Sequence, residues 1–114
     1  MAIQHFRNLK MALPTAILSF SLNAYAEPPV VELSIHEHRF EPADVKVPAN
    51  TKVKLVIKNR DASSEEFESY ELKREKVITG NSEGTVFIGP LSPGVYPFFG
   101  DFNPDSAKGR VIVE

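Results

Sequence analysis

The sequence predicts an all-β sandwich over most of its length, on three observations. Short runs rich in β-branched residues alternate apolar and polar side chains, the period of a half-buried strand. Turns bearing Gly, Pro and Asn separate these runs at close spacing. No stretch carries the apolar period of an amphipathic helix. The chain has 114 residues, which points to a single domain.

The elements follow in order along the chain. Val30 to Ile35 alternates, with Val31, Leu33 and Ile35 on one face. Glu41-Pro42-Ala43-Asp44 reads as a turn, Val45-Lys46-Val47 as a short strand, and Pro48-Ala49-Asn50 as its end. Thr51 to Lys58 is the clearest strand: Val53, Leu55 and Ile57 point one way, and Lys52, Lys54 and Lys58 form a solvated face opposite. Asn59 to Ser64 is a loop. Phe67 to Lys76 is ambiguous, a charged stretch with room for a strand and an irregular excursion. Gly80 to Gly84 reads as a turn, Thr85 to Ile88 as a strand, and Gly89 to Gly94 as a tight connection. Val95 to Phe99 is an aromatic-rich strand, and Arg110 to Val113 closes the chain.

Residues 1–26 read as a secretory signal peptide ahead of a domain at 27–114. Arg7 and Lys10 form a positive start, Met11 to Leu22 an apolar run, and Ala24-Tyr25-Ala26 a small-x-small cleavage box. The run is short for a membrane span, which needs about 20 residues. A periplasmic location follows, with no direct membrane span once the signal is removed. Without Arg7 and Lys10, the 13 basic residues become 11 against 15 acidic ones. A mildly acidic chain of this kind does not suit nucleic-acid binding. There is no cysteine, so an exported domain must hold together through its β core rather than disulfides.

Three groups of residues carry chemistry. Glu65, Glu66 and Glu68 cluster, and Glu66 and Glu68 share a strand face opposite Phe67. Hard oxygen donors of this kind suit Fe, Mn, Mg or Ca; a solvated acidic loop is the plainer reading. His36 and His38 are two apart, which on a regular strand puts both on one face, able to hold Zn, Cu or Ni; the plainer reading is two exposed histidines on an edge strand. Among Tyr96, Phe98, Phe99 and Phe102, the last lies in a loop and is the candidate for partner docking, with core packing the default for the others. Asp101 to Asp105 fails as an EF-hand calcium loop, since Ser106 and Ile112 stand where Gly and Glu are needed. No cysteine, no nucleophile elbow and no phosphate-cradling loop supports nucleophilic catalysis or nucleotide binding.

The order Phe40-Glu41-Pro42, Val45-Lys46-Val47-Pro48-Ala49, Val53 to Asn59, Pro93-Gly94-Val95-Tyr96-Pro97-Phe98 and Lys108-Gly109-Arg110-Val111-Ile112-Val113 resembles the cupredoxin superfamily. The resemblance implies a cupredoxin-like Greek-key β-sandwich. Its metal site would lie at one pole, between the loop after Asn59 and the final hairpin. A blue-copper site needs two imidazoles, a thiolate and a weak axial methionine. The resemblance puts these ligands at a Glu in the 59–67 stretch and near Gly100, Asn103 and Ala107, so every one is replaced.

The sequence is more closely similar to cupredoxin-like proteins of bacterial ferrous-iron uptake, through Arg39-Phe40-Glu41-Pro42, Glu65 to Ser69, Leu72 to Val77 and Tyr96 to Phe102. This implies an accessory that binds or hands over a metal ion, iron or copper. Its partners would be an iron permease and periplasmic metal-binding proteins, and any enzymatic part would be auxiliary to iron oxidation with a partner. Glu66 and Asp101 would be the metal ligands, with Glu68 behind them and His38 as a supplement. The chain departs from these relatives at Asn103, where the resemblance sets His. Two alternatives stand beside this reading: a metal-free interaction module docking on a transporter component, and a copper carrier using His36 and His38.

Overall fold

The computed structural model describes residues 27–114. The expected signal peptide, with its cleavage box at Ala24-Tyr25-Ala26, lies outside the described residues. These contain β1 (Val30–His36), β2 (Arg39–Glu41), β3 (Asp44–Val47), β4 (Val53–Asn59), β5 (Glu65–Ser69), β6 (Arg74–Ile78), β7 (Ser82–Ile88), β8 (Gly94–Gly100) and β9 (Lys108–Val113). One sheet has the order β2-β1-β4-β7, the other β3-β9-β8-β5-β6. Pairing is antiparallel except for β1 with β4 and β3 with β9. No helix among the described residues is long and apolar enough to cross a membrane.

Alternation decides which side chains enter the core. In β4, Val53, Leu55, Ile57 and Asn59 are buried while Lys54, Val56 and Lys58 between them are half-buried. The lysine face is solvated as expected: Lys58 reaches Glu32 at 3.1 Å, and Lys52 lies 5.0 Å above the Phe87 ring. Between the sheets, Phe40, Phe67 and Phe98 pack together, with centroids 4.9 to 6.2 Å apart. Gly109 leaves room for this trio, because a Cβ there would strike the Phe98 ring.

Three expectations are refined. The ambiguous stretch is two paired strands, β5 and β6, joined by a turn at Tyr70–Lys73. The turn expected at Gly80–Gly84 is shorter, because β7 begins at Ser82 and pairs with Asn59. Gly84 lies inside β7, where a side chain would meet Ile78 Cγ1 at 3.0 Å. The histidine strand β1 is no edge strand, since β2 and β4 flank it.

Candidate functional site

Three connections meet at one end of the sandwich: the β1–β2 turn, the loop after β4 and the β8–β9 loop. Asn59 ends β4 and is buried. Its Nδ2 donates to Ser63 O (2.9 Å) and Ile78 O (3.1 Å), and its Oδ1 accepts the Asp61 N–H (3.0 Å). That aims the Asp61 carboxylate at the β1–β2 turn, where it accepts the N–H groups of Glu37 (2.8 Å) and His38 (3.0 Å).

Both turn residues have positive φ, 52° and 59°, in a two-residue connection between the paired His36 and Arg39. Left-handed backbone at two non-glycine residues is unfavourable, and the Asp61 clamp offsets it. Partial burial pushes the Asp61 carboxyl up. The donated N–H groups of His38 and Glu37 and the nearby His38 and His36 side chains outweigh this, leaving it below the usual carboxylate range.

The turn takes His38 off the strand that carries His36. His36 Nε2 lies 3.2 Å from Glu37, and His38 Nδ1 lies 3.6 Å from Asp61. The His38 carbonyl accepts the Ser106 hydroxyl at 2.7 Å, tying the turn to the β8–β9 loop.

On the outer face of the five-stranded sheet, β5 presents Glu66 and Glu68 while Phe67 enters the core. The Asp101 N–H donates to Glu66 O at 2.8 Å and brings the Asp101 side chain alongside. Glu66, Glu68 and Asp101 each offer a carboxylate oxygen within 4.8 Å of the others. His38 is not part of this group. Glu75 stands directly across from Glu68 in the β5–β6 ladder.

None of these four acidic side chains forms an ion pair among the described residues. Partial burial, then the charges of Glu75 and Asp101, push the Glu66 carboxyl above its usual range. Partial burial, then contact with Glu75 and its charge, do the same for Glu68. Such a patch attracts a cation, which would relieve the mutual repulsion.

Phe102 follows Asp101 and is 52% exposed. Tyr70, 71% exposed, packs against Phe99 at 5.6 Å between centroids. A groove of about 670 Å³ runs along Pro97, Phe99 and Pro104, with Asp44, Lys108 and Arg110 also in its lining. Phe98, by contrast, is in the core.

Sequence reasoning missed Asp61 and Glu75. The Asn59-Arg60-Asp61 spacing signals a local Asx turn, but a clamp reaching back to Glu37 is not a local feature. Glu75 becomes relevant only through the β5–β6 register.

The two-sheet sandwich with its loop-built pole is a cupredoxin-like fold. The chain belongs to the cupredoxin-like domain family, whose model matches residues 9–113. An uncharacterized protein of Rickettsia prowazekii (strain Madrid E) is 45% identical over 83 residues, 73% of this chain and 66% of that protein, slightly under two thirds of its length. Among solved structures, auracyanin A, a blue copper protein of Chloroflexus aurantiacus, matches with a TM-score of 0.66 and 14% identity, over 77% of this chain and all of that one. Amicyanin from Paracoccus versutus matches with a TM-score of 0.61 and 17% identity, over 80% of this chain and 87% of that one. At these identities the likeness shows the fold.

The residues present do not fit a blue-copper centre. There is no cysteine, and the only methionines are Met1 and Met11, outside the described domain. The domain's two histidines, His36 and His38, have neither a thiolate nor a thioether to complete such a set.

Proposed function

We propose that the protein is a periplasmic metal-handling accessory of iron transport, which takes up an ion at Glu66, Glu68 and Asp101 and passes it to a partner. The observation that carries this reading is the convergence of three carboxylates without a counter-cation among the described residues. An all-oxygen donor set favours iron, manganese or other hard ions over Cu(I). The resemblance to ferrous-iron uptake proteins supplies the transport context, with an iron permease and periplasmic metal-binding proteins as partners. On this reading the three carboxylates bind and release the ion.

Anaerobic titration with Fe(II), Mn(II), Cu(II) and Zn(II) tests the reading, beside a Glu66→Ala/Asp101→Ala variant. The expected result is stoichiometric binding of Fe(II) or Mn(II) that the variant loses. Binding no stronger than in the variant sinks it.

A second reading, a metal-free interaction module, draws on the exposed Phe102 and Tyr70. It predicts that iron uptake survives Glu66→Ala and is impaired by Phe102→Ala. The third, a copper carrier using His36 and His38, would have to draw on a turn rather than a regular strand, since His38 lies between β1 and β2.

A further inference from the structure

Next to the outward Glu66, its neighbour Glu65 points into the protein and is 1% exposed. Both of its oxygens accept from the β8–β9 loop, Oε1 from the Phe102 N–H at 3.2 Å and Oε2 from Asn103 Nδ2. Gly100 lies against the same carboxylate: a Cβ there would collide with Glu65 Oε1 and come within 2.7 Å of the Ala107 Cβ. Gly100 donates its N–H to Ala107 O at 2.8 Å, and the Ala107 N–H returns to Asn103 O at 2.9 Å. Glu65, Gly100, Asn103 and Ala107 therefore converge on one buried point between β5 and the final hairpin. No buried side-chain polar atom among the described residues lacks a partner.

We propose that Glu65 and Asn103 form a metal-independent clasp that closes this pole, and that Gly100 is glycine because the Glu65 carboxylate occupies its side-chain space. The chemistry is self-contained. A buried carboxylate needs donors on both oxygens, and the loop supplies one from its backbone and one from the Asn103 amide. In return the loop is fastened to β5 at two adjacent residues, which sets Asp101 beside Glu66. The clasp does at this point the cross-linking that a bound ion would do, and it confines any metal exchange to the outer face. The inference is independent of whether Glu66, Glu68 and Asp101 bind an ion.

The test reverses the donor and acceptor. Asn103→Asp sets an acceptor against an acceptor in a buried site and should lower the folding equilibrium constant about 10- to 100-fold in urea unfolding. Glu65→Gln/Asn103→Asp restores the pair in mirror image, because Gln Oε1 still accepts from Phe102 while its Nε2 donates to the new carboxylate. The swap should recover at least half of the loss on a logarithmic scale. A second cycle with Glu65→Ala, Asn103→Ala and the double variant guards against a variant that does not fold, and the double variant should cost little more than either single. In a Glu66→Ala/Asp101→Ala background, Fe(II), Zn(II) and Cu(II) should leave the midpoint unchanged. Additive costs in the alanine cycle, an unrepaired swap, or a metal-dependent midpoint that Glu65→Gln abolishes would each overturn the proposal.

Discussion

Asp61 and the Glu66–Glu68–Asp101 patch are both carboxylate sites near one pole of the sandwich, and their surroundings are opposite. Asp61 faces donors, the N–H groups of Glu37 and His38, and its carboxyl is held below the usual range. Glu66 and Glu68 face Glu75, Asp101 and each other, and their carboxyls are pushed up. Both sites are partly buried, so desolvation raises the carboxyl in each. What sets them apart is the charge and polarity of the groups aimed at the oxygens. A carboxylate whose acceptors are already used holds the fold together. A group of carboxylates with no donors is under electrostatic stress that a cation relieves, and this makes the outer face of β5 the better place to look for a ligand.

The largest expected effect comes from removing the satisfied carboxylate. Asp61→Ala should cost about 2 kcal/mol in chemical denaturation, the range for hydrogen bonds to a charged group reduced by solvent access to the freed N–H groups. The loss should be smaller in a His38→Gly background, where glycine relieves the left-handed backbone that the clamp otherwise supports. If Asp61→Ala proves neutral, the two carboxylate sites do not differ in the way described.

That clamp also marks the limit of what the sequence discloses. Strand positions followed from alternation wherever the inward residues were apolar, as in β4 with Val53, Leu55 and Ile57. In β5 the inward residues are Glu65, Phe67 and Ser69, so the usual signal is nearly absent and the stretch reads as ambiguous. Each inward polar group there is satisfied by something distant in sequence: Glu65 by Phe102 and Asn103, Ser69 by Pro97 O at 2.7 Å. The outward Glu66 and Glu68 were legible from their spacing, and Asp101 from the resemblance. The two-residue turn at Glu37-His38 carries none of the Asn-Gly chemistry that announces such turns, so its tight form is not legible in the sequence, although both histidines are exposed as their plainer reading has it.

Acid titration sharpens the comparison, because the two sites have opposite sign. The Asp61 carboxyl is lower in the folded chain than its ordinary 3.8. Its contribution to stability is therefore present above that value and is lost as pH falls through the folded value. The Glu66 and Glu68 carboxyls are higher in the folded chain than their ordinary 4.5. Their protonated forms favour folding, so this contribution is full below 4.5 and disappears as pH rises through the raised values. As pH falls from neutrality to the mid-4s the wild-type thermal midpoint should rise, and Glu66→Gln/Glu68→Gln should flatten that rise. The fall on the acid side below 3.8 should be smaller in Asp61→Asn. A double Gln variant that tracks the wild type through the upper window would remove the case for a stressed patch.

The smallest effect isolates repulsion from ligation. Glu75 stands across from Glu68 but is not one of the three converging ligands, so Glu75→Gln lowers the negative charge without deleting a donor. Without added metal, the variant should have a slightly higher thermal midpoint than the wild type. The gain should shrink in 1 M salt, where the screening length falls to about 3 Å. With Mn(II) near saturation the gain should vanish or reverse, since the ion itself neutralises the patch and Glu75 then adds attraction for it. A gain that ignores both salt and Mn(II) would mean that Glu75 acts through packing of the β6 edge, and the patch would no longer be a place where charge awaits a cation.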